Sequence, residues 1–130
     1  MNISHLAIWT NDLERLRDFY CTYFEAISNE KYINPVKKFS SYFLTFKNGG
    51  CSIELMNLPT LVDSVDPEFK NRTGLAHFAC SVGSKEAVDA MTSRFREAGL
   101  TVLGEPRHTG DGFYESAITD PDGNIVEITI

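Results

Sequence analysis

Apolar residues alternate with small or polar ones from Ile3 to Trp9, which is the period of a β-strand. The period then changes. Asn11-Asp12-Leu13-Glu14 has the form of a capping box, with Asn11 as the cap and Glu14 reaching back. Leu13, Leu16, Tyr20 and Tyr23 follow on one helical face, with Phe19 and Phe24 alongside. A weaker strand signal lies near Ile27 to Tyr32. Ser41 to Lys47 is rich in Tyr, Phe, Leu and Thr, breaks at Asn48-Gly49-Gly50 and resumes from Cys51 to Met56, the pattern of a hairpin.

The same order then returns. His77 lies in Leu75-Ala76-His77-Phe78-Ala79-Cys80, a second strand. Ser84 is placed to cap a helix whose stripe is Val88, Met91, Phe95 and Ala98, with Gly99 as its stop. Leu100 to Leu103 is a short strand ahead of Gly104-Glu105-Pro106. Phe113 to Thr119 breaks at Asp120-Pro121-Asp122-Gly123, a type I turn, and resumes to Ile130. Each half therefore reads β-α-β-β-β, and the fold class is α+β, two tandem βαβββ modules. The modules cover about 1–57 and 74–130 of a single domain spanning 1–130. The linker, about 58–73, is polar and turn-rich, with room for a helical turn around Leu61 to Phe69. The two helix stripes coincide at an offset of 75 residues, and small loop insertions and deletions account for slightly different offsets elsewhere.

Two metal-ligand types recur inside this repeat. His5 and Glu54 sit in strands of the first half, and His77 and Glu127 in strands of the second; the His pair is offset by 72 residues and the Glu pair by 73. One strand histidine is more often a packed core residue than a ligand. Two His…Glu pairs in register point instead to one metal site built by pseudo-symmetry. A carboxylate between aliphatic neighbours needs a partner, because a buried unpaired charge costs several kcal/mol. A divalent cation that gathers both Glu and both His removes that cost for all four. Two imidazoles and two carboxylates suit Ni, Co or Zn, with Mn or Fe(II) also accepted. Two further coordination positions stay open, so the site would be Lewis-acidic, and a carboxylate that loosens from the ion can act as a general base.

Composition narrows the function classes. Apolar residues make up 42% and charged residues 23%, as in ordinary globular proteins. The net charge of −6 argues against nucleic acid and anionic membranes as partners. No run is long enough to span a bilayer and no secretory signal is visible. Cys21, Cys51 and Cys80 are an odd number in apolar settings and read as reduced, mostly buried thiols of a cytoplasmic protein.

Around the four residues, Trp9 shares the face of His5 and Ala7, and Trp9 and Phe78 read as packing residues. If Thr119 pairs with Asn124 across the last hairpin, Glu127 lies opposite Ser116 with Tyr114 diagonal to it. Arg107 and Asp111, in a loop with His108, either contact substrate or are solvated. Trp9, Arg107, Tyr114 and Ser116 are accordingly the substrate-side candidates.

These motifs, together with Asp12…Phe19-Tyr20, Gly74-Leu75-Ala76-His77 and above all Asp120-Pro121-Asp122-Gly123-Asn124-Ile125-Val126-Glu127, resemble those of the vicinal oxygen chelate superfamily. That group includes glyoxalase I (lactoylglutathione lyase), the fosfomycin-resistance proteins, methylmalonyl-CoA epimerase, extradiol dioxygenases and the bleomycin-binding proteins. The resemblance implies two βαβββ modules whose sheets curl around a metal, and a homodimer in which two ligands can come from each subunit. A first-half carboxylate in the place of Glu54 is similar to glyoxalase I, whereas the dioxygenases and fosfomycin enzymes lack it. The resemblance then implies a lyase/isomerase that converts a 2-oxoaldehyde–thiol hemithioacetal to a hydroxyacyl thioester through a metal-stabilised enediolate. Glu127, with Glu54 as counterpart, would be catalytic and move the proton, and His5, Glu54, His77 and Glu127 would hold the metal. Trp9 departs from the pattern, since many glutathione-using members carry Arg in its neighbourhood. Lys37, Lys38, Arg72 or Arg107 would have to replace it, so a thiol other than glutathione is open. Other implied activities are epoxide opening, epimerisation, ring cleavage by non-haem iron, or non-catalytic binding of a small molecule.

Overall fold

The computed structural model describes residues 2–62, 74–110 and 112–130. The chain divides into two compact units, Met1–Val65 and Asp66–Ile130. The proposed helical turn near Leu61 to Phe69 falls mainly on 63–73, and Arg72 and Asp111 also lie outside the described residues.

In the first unit, β1 (His5–Trp9) leads through Asp12 into α1 (Leu13–Phe24), followed by β2 (Ile27–Ser28), β3 (Tyr32–Asn34), β4 (Phe39–Thr45) and β5 (Ser52–Asn57). The sheet order is β1-β5-β4-β2, with β3 also paired to β4. β1 and β5 run parallel and β4 and β5 antiparallel. α1 buries Leu13, Leu16, Phe19 and Tyr20. The sheet side chains buried with them are Ile8, Tyr42, Leu44, Ile53 and Leu55, every second residue of their strands. The other face of the sheet is thereby turned away from the helix.

The second unit repeats the plan. β6 (Phe78–Ser81), α2 (Lys85–Glu97), β7 (Val102–His108), β8 (Tyr114–Thr119) and β9 (Ile125–Thr129) follow one another, with sheet order β6-β9-β8-β7. β6 and β9 are parallel. Val88, Thr92 and Phe95 of α2 are buried together with Ser116, Ile118, Val126 and Ile128 of the sheet. The α+β class and the doubled β-α-β-β-β plan therefore follow the alternating and helical periods, except that the weak strand expected near Ile27 to Tyr32 is two short strands, β2 and β3, so the first sheet has five strands and the second four.

Local details differ from the sequence expectation for identifiable reasons. The cap of α1 is Asp12, not Asn11: its carboxylate accepts from Arg15 N at 3.0 Å, while its own N–H donates to Thr10 Oγ1 at 3.1 Å. Glu14 does not reach back. It pairs instead with Lys31 Nζ at 2.7 Å, and that contact holds its carboxyl below the ordinary carboxylate range. Ser84 caps α2 as expected, accepting from Ala87 N at 3.1 Å. The α2 stripe is shifted, however: Ala98 is exposed, and Thr92 takes the buried position. Thr92 tolerates burial because its hydroxyl donates to Val88 O at 2.7 Å and shares a 2.6 Å bond with Ser116 Oγ. The strand after α2 does not stop at Leu103. It continues through two bulged positions to His108, so Arg107 and His108 are strand residues rather than loop residues.

The last hairpin is one residue longer than expected. Thr119 pairs with Ile125, not Asn124. Asp120 N donates to Asn124 O at 2.9 Å, and Gly123, at φ 84°, closes a three-residue connection that only a residue free of a Cβ adopts without strain. The buried Asp120 carboxylate organises this turn: Oδ1 accepts from Asp122 N and Asn124 N, and both oxygens accept from Asn124 Nδ2. Hydrogen bonds to a charged acceptor are worth about 1.5–3 kcal/mol each, though not additively. Asp120→Ala is expected to destabilise the protein by about 2–3 kcal/mol in chemical denaturation, with Asp120→Asn intermediate.

The cysteines are all free, but they are not equally buried. Cys51, expected to be buried, is exposed at the start of β5, whereas burial pushes the Cys80 thiol up to about 11. Since the thiolate is the nucleophile, this shift disfavours reaction at Cys80 near neutral pH. Mass-spectrometric mapping of limited iodoacetamide labelling is expected to find Cys51 modified first and Cys80 last.

Candidate functional site

Strand register puts each His beside its Glu. In the first unit Ala7 pairs with Glu54 and His5 lies two residues before Ala7, so His5, Ala7 and Glu54 share the face turned away from α1. His5 Nε2 stands 3.9 Å from Glu54 Oε2. The imidazole is fixed on two sides: its Nδ1 shares a 3.1 Å bond with Ser4 Oγ, and its ring meets Phe43 edge-on at 5.5 Å. Phe43 in turn is the β4 partner of Glu54.

The second unit reproduces the arrangement. Ala79 pairs with Glu127, His77 lies two residues before Ala79, and His77 Nε2 is 3.1 Å from Glu127 Oε2. Exposures match as well: the His side chains are 44% and 45% exposed and the Glu side chains 16% and 21%. Half-open imidazoles over part-buried carboxylates leave donor atoms available to a ligand. The matched alanines are the signal that sequence reading passed over. In both halves a methyl group stands directly beside the carboxylate, so nothing bulky separates it from the imidazole two residues back. The Phe43 position is where the halves differ, because the β8 partner of Glu127 is Ala117.

Donor geometry can be compared with a metal ion's needs. Two donors bound to one ion at about 2.1 Å stand about 3.0 Å apart at a right angle and about 3.4 Å apart at the tetrahedral angle. The His77–Glu127 separation of 3.1 Å lies in that range, and the His5–Glu54 separation of 3.9 Å is a small side-chain rotation outside it. Each pair thus fits a divalent ion as adjacent ligands. Within its own unit neither pair gains a third His, Cys, Asp or Glu among the described residues.

The substrate-side candidates separate. With the corrected register, Ser116 pairs with Ile128 and not with Glu127. Ser116 and Tyr114 therefore lie on the α2 face: Ser116 is bonded to Thr92, and the Tyr114 hydroxyl donates to Asp89 Oδ1 at 2.6 Å. Lys85 Nζ sits 4.6 Å from the Tyr114 ring centre, and the His108 ring lies 4.8 Å from it. These contacts give Tyr114, Ser116 and His108 structural duties away from Glu127. Arg107 does share the Glu127 face. It pairs with Glu115 on β8, Nη2 to Oε1 at 3.5 Å, and borders a shallow depression of about 540 Å³ with Gly104, Ala117 and Ile125. Its guanidinium lies over Gly104, where an added Cβ would come within 2.8 Å of Nη1. Trp9 is not a core residue. It is 48% exposed on the same face as His5 and Glu54.

The architecture has many structural relatives. A glyoxylase/bleomycin resistance protein/dioxygenase domain from Frankia sp. EAN1pec superposes with a TM-score of 0.83 at 19% identity, covering 100% of this chain and 97% of that one. A lactoylglutathione lyase from Agrobacterium tumefaciens gives 0.68 at 24% identity, with 98% and 91% covered. Glyoxalase I from Zea mays gives 0.77 at 23% identity; 98% of this chain matches but only 44% of the longer maize chain. These likenesses establish the fold. No curated protein sequence matches. Among the described residues no helix is long and apolar enough to cross a membrane. The family model described as Glyoxalase/Bleomycin resistance protein/Dioxygenase superfamily matches residues 2–128, so nearly the whole length of the doubled module is accounted for, and the chain belongs to that superfamily.

Proposed function

We propose that this protein is a metal-dependent lyase/isomerase of glyoxalase I type. Its substrate would be the hemithioacetal of a 2-oxoaldehyde and a thiol, and its product the hydroxyacyl thioester. The observation that carries the reading is the duplicated His–Glu contact on matched sheet faces, 3.9 Å and 3.1 Å. His5, Glu54, His77 and Glu127 would hold one divalent ion, with Ni, Zn or Co preferred and Mn or Fe accepted by the same donors. Such an ion supplies Lewis-acid stabilisation of negative charge developing on the substrate oxygens.

The residues of the chain do the rest. Isomerisation needs a proton removed from one carbon and returned to its neighbour. Glu127 is the assigned base and acid, and Glu54 its counterpart, since each carboxylate is part-buried on a strand and has a half-exposed imidazole beside it. Arg107, on the Glu127 face, is placed to meet an anionic or carbonyl group of the substrate. Glyoxalase I and lactoylglutathione lyase among the structural relatives support this reading over other chemistries of the superfamily. A homodimer in a reducing, cytoplasmic setting accords with the family and with the free cysteines.

The experiment is turnover by metal-loaded protein on methylglyoxal mixed with a panel of thiols, followed by thioester absorbance. Formation of the hydroxyacyl thioester with at least one thiol, equal with and without oxygen, is expected. Strict dependence on Fe(II) and oxygen would assign ring cleavage instead, and no turnover with any thiol would remove the isomerase reading.

A further inference from the structure

The Glu54 face of the first sheet carries an aromatic group that the ion-pair site does not use. Trp9 on β1 is 48% exposed and Tyr32 on β3 is 52% exposed. Both meet Phe39 of β4: the Trp9 and Phe39 rings are 6.4 Å apart at 89°, and the Tyr32 and Phe39 rings 6.2 Å apart at 58°. Rings set at such angles form a corner rather than a stack, so ring surface stays available to a ligand. Register fixes where the corner lies. Trp9, Met56, Ser41 and Tyr32 make one row across the sheet, and Ala7, Glu54 and Phe43 make the row beside it on the same face. Same-face neighbours along a strand are about 7 Å apart. The aromatic row therefore begins within the reach of a small molecule whose polar end is at Glu54. Neither row contains a Lys or Arg. A carboxylate placed there would find no counter-charge in either row and would face Glu54; Lys37 and Lys38 lie outside both rows, in the turn between β3 and β4.

We propose that Trp9, Tyr32 and Phe39 form a specificity subsite for an uncharged aryl or alkyl substituent of the substrate. The proposal deepens the isomerase reading and rests on it only for the identity of the group at Glu54. It names the substrate class: a thiol or oxoaldehyde carrying a neutral apolar group, not an anionic peptide, over the first sheet.

Trp9 is the single tryptophan of the chain, so its emission reports directly on this corner. The test titrates the purified protein with benzyl methyl sulfide and, separately, with (methylthio)acetate, exciting tryptophan selectively. A saturable blue shift with the benzyl compound is expected, and none with the carboxylate. Phe39→Ala and Tyr32→Ala should each weaken the benzyl response about three- to tenfold, the range of one aromatic contact. Val36→Ala, 92% exposed, should leave it unchanged. Circular dichroism checks that the variants are folded. No saturable shift, equal affinity for the carboxylate, or affinity unaltered by both aromatic truncations would overturn the subsite. This readout needs no turnover, so an inactive protein that still binds the benzyl compound would refute the isomerase reading alone. An active protein that prefers a carboxylate-bearing thiol would refute the subsite alone.

Discussion

If the protein catalyses the proposed isomerisation, Glu127→Gln is expected to lower its kcat by about 10²–10⁴-fold, the usual contribution of a positioned general base. The substitution keeps the length of the side chain and one donor oxygen, and removes basicity. Glu127 lies in β9 between Val126 and Ile128, which are fully buried, so the strand and its pairing with Ala79 stay in place. On the proposed ligand set, the retained oxygen and the neighbouring His77 would keep part of the metal affinity. A fall in kcat with the ion still bound is therefore the expected signature, read by steady-state kinetics alongside elemental analysis of the same sample. If kcat were unchanged, the proton would be moved by another group. Glu54→Gln then discriminates the two halves: a comparable loss would make the carboxylates true counterparts, and a small loss would leave Glu54 as a ligand.

Phe95→Ala is expected to cost about 3–5 kcal/mol, the range for a buried aromatic truncated to a methyl. Phe95 is fully buried on α2, beside the layer of Ile118, Val126 and Ile128 that carries Glu127 on its far side. For a domain of this size such a loss lowers Tm by about 10–20 °C. Ala98→Ser, three residues on but exposed, is expected to leave Tm within a degree or two, since surface changes of this kind fall within about ±0.5 kcal/mol. Thermal unfolding of the two variants side by side locates the true α2 stripe, because a stripe through Ala98 would make both changes costly.

That contrast shows which parts of the fold were legible in the sequence. The stripe is readable at Val88 and Phe95, where apolar spacing and burial agree, while Met91 between them is only half-buried. It was misread at its end and at Thr92, whose burial depends on a hydroxyl bond to Ser116 that no periodicity displays. The doubled module was readable because strands and helices impose different periods, and both recur. The register of the last hairpin was not, since it is decided by the Asp120 carboxylate and the positive φ of Gly123. That one-residue shift decides which side chains share a face with Glu127. It sends Ser116 and Tyr114 to the helix side and sets Ala117 opposite the carboxylate. The His–Glu pairings were legible because each depends only on a parallel strand pair and on alternation. Gly104 and Pro106 look like turn signals in the sequence and so place Arg107 in a loop, but bulges absorb them and the strand continues. The exposure of Trp9 follows from its sharing a face with His5, a parity visible in the sequence but outweighed there by the general tendency of tryptophan to be buried.

The most direct test of the four-ligand proposal is the metal stoichiometry of the protein after chelation, reconstitution with Zn or Ni and removal of free ion. One tightly held ion per chain is predicted for the unaltered protein, with strong loss in His77→Ala and none retained when His5, Glu54, His77 and Glu127 are all replaced by Ala. Absence of a stoichiometric ion in the unaltered protein, or an ion retained without those four side chains, would contradict the account.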